Sequence, residues 1–416
     1  MFKLAESEAR MDTCSGQQEK LSCSTIPVVD VRRGGPVAHA KFQRERMMAL
    51  RDACFSIIPG PFRRCAPALD RLSSAWLART LSPYIDEIAA ISDIAAGGGV
   101  WFVNASYEWG CTTRVASAPM PFLWRTLDWP FPGLGRYVEV ALQDGGAGVY
   151  ANVTWPGAVG VLTAVAPGRF AAAINQAPMF RRTRGLVLFP LDMVLNAVVT
   201  FRDDGCWPAA HLLRHAFDVC ATFQEAVEIL STAPVAKPVL YSIVGPLASE
   251  ACLIERTQTE AVVRRGDSTI ANDWHPMSPR RDGYWMPRGT YIRGADDSER
   301  RRKCLEDDEP GECFDWVREP VLNGFTRLAV EASATTGELR VLGFEPACRR
   351  AAGVTPATAV LDAIVDQHGI WPAAARAAPR RQEIGGGPVR CGTGPPSHIS
   401  RPISRVLYGA GRDPDA

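Results

Sequence analysis

The residues with the most chemical potential in this sequence sit in one short stretch. Residues 109–131 read WGCTTRVASAPMPFLWRTLDWPF, with Cys111 directly after a glycine, then Arg125 and Asp128. CTTRVAS and FLWRTLDW have the texture of two short strands joined by a turn at SAPMP. With the turn centred between Ser117 and Met120, antiparallel pairing places Cys111 opposite Arg125 or Thr126, within one register step. Directly paired Cβ atoms lie about 5 Å apart, so a long arginine reaches the sulfur. Asp128 lies just past the pairing, within reach of the Cys111 nitrogen. A thiolate is the nucleophilic form of cysteine, and a neighbouring cation favours it. An N-terminal cysteine also carries its own base, an α-amine with a pKa of about 8. If the Gly110–Cys111 bond is cut, the hairpin holds a nucleophile, an activating charge and a carboxylate to orient the base. The same residues also fit an ordinary buried thiol beside a strand-end Arg–Asp pair.

The elements around this hairpin follow from the pattern of apolar residues. AHAKFQRERMMALRDACFSI and PYIDEIAAISDIA carry apolar positions at helical spacing, and the second stops at Gly97–Gly99. VWFVNASYEW, RYVEVALQ, GVYANVTW, AVGVLTAVA and RFAAAINQ are short runs bounded by Gly, Pro or Asp, as strands are. GLVLFPLDMVLNAVVTF, interrupted by Pro190 and Asp192, reads as a buried or amphipathic helix rather than a membrane span, with a lipid-facing role open to it. Two helices follow, PAAHLLRHAFDVCATF and TFQEAVEILSTA, the second opened by Thr222 and Glu225 at capping-box spacing. Strands are expected again at VLYSIVG, EACLIERT, TRLAVEAS and LRVLGFE. Helices, strands, helices and strands in this order predict an α+β protein in which helices cover two sheets.

Composition narrows the function classes. The chain has 416 residues, 46% hydrophobic, with a formal net charge of +1, which gives no basic field for nucleic acid. The twelve cysteines are scattered singly, without zinc spacing. His211 and His215 stand four apart on a helix, but no glutamate follows the first, and amphipathic positions explain the pair better than a metal. No phosphate-binding glycine loop or GxSxG elbow occurs, and no metal or other cofactor is expected. The N-terminus lacks the apolar stretch of a secretory signal, so a cytoplasmic protein with reduced thiols is expected. The expected organisation is a flexible arm over 1–35, a helical segment over 36–110, a catalytic domain over 111–345 and a Pro/Gly/Ala/Arg-rich, disordered tail over 346–416.

An ordered series of motifs resembles the acid ceramidase and N-acylethanolamine-hydrolysing acid amidase group of the choloylglycine hydrolases, among the N-terminal nucleophile (Ntn) hydrolases. IAAISDIAAGGGVWFVNASYEWGCTT resembles the end of that group's propeptide and its nucleophile. LWRTLDWPF resembles its Arg-Asn-Leu/Met-Asp motif, with Thr126 in place of the asparagine. PGAVGVLTAVAPGRFAAAINQ, STIANDWHP and EPVLNGFTRLAVEASATTGELRVLGFE resemble later family segments, so that the likeness runs from about residue 36 to 345. The resemblance implies a four-layer αββα sandwich, cut before Cys111 to leave a small helical subunit. It implies Cys111 as nucleophile, with Arg125 and Asp128 in the roles above. Asn175 and Asn272 would be hydrogen-bond donors to an oxyanion or holders of the amine. Arg301, with Arg300 nearly as good a choice, would be the late arginine. The implied reaction is hydrolysis of a linear, non-peptide amide through a thioester. The substrate is a small N-acyl amide, and Trp124, Trp129, Phe131, Met179 and Phe180 would accommodate an apolar acyl group. Acyl transfer by the same residues, or a non-catalytic lipid- or partner-binding descendant, remain alternatives, and lipid-surface contact is open.

Overall fold

The computed structural model describes residues 23–56, 66–96, 98–105, 110–183, 188–202, 204–278, 284–285, 294–307, 313–346 and 353–373. Strand β1 is Val28–Asp30; helices α1 to α5 are Gly35–Phe42, Arg44–Ser56, Ala66–Leu77, Ile85–Ala95 and Val100–Ala105. Strands β2 to β8 are Gly110–Ala116, Phe122–Asp128, Glu139–Gly145, Gly148–Thr154, Thr163–Ala166, Phe170–Gln176 and Met179–Phe180. Helices α6 to α8, Phe189–Arg202, Ala209–Val219 and Phe223–Thr232, precede β9 to β13. These are Val239–Val244, Ala251–Arg256, Ala261–Arg265, Ser268–Ile270 and Tyr284–Trp285. Helix α9, Gly294–Asp307, is followed by β14 to β18, which are Thr326–Ala332, Glu338–Pro346, Val354–Pro356, Leu361–Val365 and Ile370–Pro372.

The strands form two large sheets among the described residues. The first runs β1-β4-β5-β6-β7-β9-β10-β11; the second runs β12-β2-β3-β14-β15-β17-β18, with β16 also on β15. Their alternation sorts side chains between layers. Along β7, Ala171 and Ala173 enter the inter-sheet core, while Phe170, Ala172 and Ile174 face the helices. The inter-sheet core joins Val140, Val153 and Val244 of the first sheet to Val115, Leu123 and Val330 of the second. On the outer face of the first sheet pack Ile88 and Ile91 of α4, Leu212 and Phe217 of α7, and Leu230 of α8. On the outer face of the second, Leu305 of α9 and Trp316 cover Ala329 and Leu342. The result is the expected α+β, four-layer αββα sandwich.

Three sequence expectations change. VWFVNASYEW was expected as a strand, but Val100–Ala105 is helical. The Asp70 carboxylate from α3 accepts from Gly99 N at 2.5 Å and Phe102 N at 2.9 Å, capping that helix from a distance in sequence. Part of the arm is built in, since Val28–Asp30 pairs in parallel with β4. Part of the tail is built in too: β16 pairs with β15, and β17 and β18 extend the second sheet. The rest of the tail, from residue 374, and residues 1–22 of the arm lie outside the described residues. The capping box of α8 forms: Thr222 Oγ1 accepts from Glu225 N at 3.2 Å, and Glu225 reaches back to Ala221 N at 2.7 Å. Among the described residues no helix is long and apolar enough to cross a membrane. Helix α6 nevertheless exposes Leu191, Met193 and Val194.

Candidate active site

The β2–β3 hairpin closes with Cys111 opposite Leu127, one step from the expected register. Arg125 therefore stands opposite Thr113, on the same face as Cys111 and diagonal to it. That face looks into the inter-sheet core, where Cys111 is buried. Arg125 Nη2 lies 3.4 Å from Cys111 Sγ and donates to the Ile174 carbonyl at 2.9 Å, while Nη1 donates to Thr163 Oγ1. The guanidinium thus bridges the two sheets with one arm on the sulfur. Burial nevertheless pushes the Cys111 thiol up; Arg125 opposes the rise, Asp128 adds to it and Arg301 pulls down more weakly.

The nitrogen of Cys111 is held from the other side of β2. Strand β12 pairs Ile270 with Thr113, and extending that register by two residues brings Asn272 alongside Cys111. Cys111 N donates to Asn272 Oδ1 at 2.9 Å. Asn272 Nδ2 donates to the Gln176 carbonyl at 3.0 Å, anchoring the side chain to the end of β7. Asn175, also on β7, makes a different set of contacts. Its Oδ1 accepts from Thr113 Oγ1 at 2.6 Å, and its Nδ2 donates to the Ala271 carbonyl at 2.9 Å. Asn175 braces the segment that carries Asn272.

The opposite face of the hairpin looks toward α9. Arg301 is fully buried there, whereas Arg300 is exposed. Arg301 Nη1 donates to the Cys111 carbonyl at 2.6 Å and to Thr112 Oγ1 at 2.8 Å; Nη2 donates to Asn272 Oδ1 at 3.0 Å. Asp297, one turn earlier, accepts from Arg301 Nε at 3.0 Å. Asp128 pairs in register with Gly110, across from the Gly110–Cys111 bond. Its Oδ2 lies 3.7 Å from Arg301 Nη1, and its Oδ1 accepts from Thr326 Oγ1 at 2.7 Å. Thr126 is buried, and its Oγ1 makes no hydrogen bond.

All six predicted residues therefore gather around the first peptide of β2. Sequence reasoning missed Thr112, Thr113, Thr163 and Thr326. The first two stand in the CTT run beside the cysteine; the other two are found only through strand register. Of the expected acyl-lining residues, Trp129 and Phe131 line an apolar cavity of about 160 Å³. Its walls also include Met47 and Leu50 of α2, Phe102 of α5 and Leu134. Leu50, Trp129 and Leu134 belong to the same core cluster as Cys111. Trp124 lies on the α9 side, and Phe180 is exposed in the β8–β13 pair.

No family model matches the sequence, and no curated protein matches it. Among solved structures the chain is similar to the Caenorhabditis elegans N-acylethanolamine-hydrolyzing acid amidase ortholog. Identity is 16%, covering 54% of this chain and 93% of that one, with a TM-score of 0.40. It is also similar to a mutant of conjugated bile acid hydrolase from Clostridium perfringens, at 8% identity, 62% and 97% coverage and a TM-score of 0.34. A second variant of that hydrolase gives 7% identity, 62% and 98% coverage and a TM-score of 0.33.

Proposed function

We propose that this chain is a cysteine Ntn amidohydrolase that cleaves linear, non-peptide N-acyl amides with an apolar acyl group, after cutting itself at Gly110–Cys111. The observation that carries this reading is the hold on Cys111 at both ends, by Arg125 at the sulfur and Asn272 at the nitrogen. In self-cleavage Sγ bonds to the Gly110 carbonyl carbon and the C–N bond breaks. The thiol proton passes to the departing nitrogen, and water hydrolyses the resulting thioester. The freed amine stays beside Asn272, with Asp128 to orient it.

In turnover the amine takes the thiol proton as sulfur bonds to the substrate carbonyl carbon. The ammonium returns that proton to the leaving amine, and water releases the acid from the thioester. Asn272 and Arg301 hold the amine end, and Asn175 acts through them as a positioning residue. The cavity bordered by Trp129 and Phe131 supports an apolar acyl group: at about 160 Å³ it matches an engineered cavity of roughly 150 Å³ that holds benzene. The exposed apolar side chains of α6 support contact with a lipid surface that presents such substrates. Transfer of the acyl group to an amine instead of water uses the same residues.

The test is the intact mass of the purified chain beside a Cys111→Ala control, at mildly acidic and neutral pH. A fragment beginning at Cys111 in the wild type, with the control whole, is the expected result. If both stay whole under every condition, the α-amine base never forms and the chain is a binding protein with a hairpin thiol.

A further inference from the structure

Strand β14 does not run beside β3 in unbroken register. Leu328 pairs with Leu127, so an unbroken ladder would set Arg327 against Asp128. The register shifts instead, and Thr326 stands opposite Asp128. A bulge of this kind re-aims a side chain. Arg327 is turned to main-chain carbonyls: its Nε donates to that of Phe131 at 3.0 Å, and its Nη1 to those of Gly324 at 3.3 Å and Thr326 at 2.9 Å. A neutral hydroxyl thus takes the place across from Asp128 that a cation would otherwise hold.

That hydroxyl is buried, and its direction is set. Thr326 Oγ1 accepts from Asn323 N at 3.0 Å. Its single proton has two acceptors in reach, Asp128 Oδ1 at 2.7 Å and the Val321 carbonyl at 3.4 Å. The short contact to a carboxylate is the stronger of the two. The turn that carries the hydroxyl is closed by Thr326 N on the Asn323 carbonyl at 2.9 Å and by Phe325 N on Asn323 Oδ1 at 3.0 Å. Trp129 N, donating to the Phe325 carbonyl at 2.6 Å, ties the turn to the end of β3.

The two side chains differ in stiffness. A threonine is confined at χ1 by its branched Cβ. The terminal torsion of an aspartate is broad and two-fold, so the plane of its carboxylate is set by what the oxygens touch. Thr326 holds Oδ1 of Asp128. The other oxygen, Oδ2, lies 3.7 Å from Arg301 Nη1, the same nitrogen that donates to the Cys111 carbonyl at 2.6 Å.

We propose that Thr326 is a positioning residue, whose hydroxyl fixes the plane of the Asp128 carboxylate so that Oδ2 meets the charge developing on the Cys111 nitrogen. This rests on the self-cleaving hydrolase reading above. In self-cleavage Sγ bonds to the Gly110 carbonyl carbon and the thiol proton passes to the Cys111 nitrogen. That nitrogen is cationic in the tetrahedral intermediate, until the C–N bond breaks and it leaves as the amine. Asp128, paired in register with Gly110, lies across from that bond. An anion aimed beforehand at developing charge needs no reorientation when the charge appears. A neutral donor suits the task because it fixes the carboxylate without neutralising it.

The experiment follows the fragment beginning at Cys111 by intact mass, in the full chain. Thr326→Val keeps the shape and removes the hydroxyl; it should slow self-cleavage by roughly ten-fold or more, the loss of one hydrogen bond to a charged group. Thr326→Ser keeps the hydroxyl and should cut at close to the wild-type rate. A packing role predicts the reverse order. The valine also gives up the Asn323 contact, so Thr222→Ala, which removes the cap of α8, is the control for lost stability and should cut like the wild type. Thr326→Ala takes the place of the valine chain if urea unfolding shows that the latter does not fold. A valine chain that cuts as fast as the wild type, a serine chain as slow as the valine chain, or a Thr222→Ala chain slowed as much overturns this inference and leaves the hydrolase reading standing. A wild type that stays whole sinks both.

Discussion

At the scale of single residues, the hairpin concentrates its chemistry in Arg125. One guanidinium serves the Cys111 sulfur, the Ile174 carbonyl and the Thr163 hydroxyl together. Lysine is a single compact charge and does not reproduce that fork. Arg125→Leu should slow self-cleavage by roughly 10²-fold, the scale of losing one charged donor at a reacting centre. Arg125→Lys should recover only part of it, as followed by the rate of appearance of the fragment beginning at Cys111. The adjacent Thr126 predicts the opposite kind of effect. Its hydroxyl is buried without a hydrogen bond, so Thr126→Val exchanges an unsatisfied group for a methyl of similar shape. Chemical denaturation should show the valine variant about 1 kcal/mol more stable. Cys111, Arg125 and Asp128 were legible in the sequence because a hairpin fixes neighbours by counting from its turn. Thr163 and Thr326 were not, because they reach the site from strands whose register depends on the whole sheet.

The elements show where local pattern stops being sufficient. Strands such as β7 and β9 were readable from their short apolar runs, and α8 from its capping box. The stretch from Val100 was apolar enough to pass for a strand, and the Asp70 side chain from another helix caps it as α5. Asp70→Ala should therefore destabilise the fold by about 1–2 kcal/mol, as the loss of a strong cap does. Hydrogen exchange should rise first at residues 99–105. The strands β16 to β18 were hidden for a related reason. Each is short and only partly buried; β16 and β17 are ordered by pairing on β15, and β18 by pairing on β17, rather than by their own sequence. Gly337, at φ +74°, makes the turn before β15 and packs its Cα against the Val365 carbonyl, a contact no local pattern announces.

Across the whole molecule, the segment before Cys111 is tied into the sandwich at several independent places. Strand β1 lies on β4, His39 Nε2 meets Glu139 Oε2 at 2.7 Å, and Tyr84 Oη donates to Asp218 Oδ2 at 2.7 Å. The two pieces of a cut chain should therefore elute together in gel filtration and separate only in denaturant. Stability should also depend on pH through His211. Burial, helped by the Arg214 guanidinium, lowers its pKa from 6.5 to about 3. The folded state binds this proton more weakly than the unfolded state, so its contribution is complete above pH 6.5 and is lost as pH falls from there toward 3. The slope from one such group approaches roughly 1.4 kcal/mol per pH unit inside that window. His215 and His275 are lowered by partial burial and act in the same direction. On the alkaline side the half-buried thiol of Cys54 and the buried thiol of Cys252, pushed up to about 12, favour the folded state below their ordinary 9.0 and lose that contribution as pH rises. Urea unfolding of the Cys111→Ala chain between pH 7 and 4 should show the acid limb, and His211→Phe should flatten it while leaving the alkaline limb in place. An unchanged acid slope in the phenylalanine variant would mean that carboxylates, not His211, govern acid unfolding.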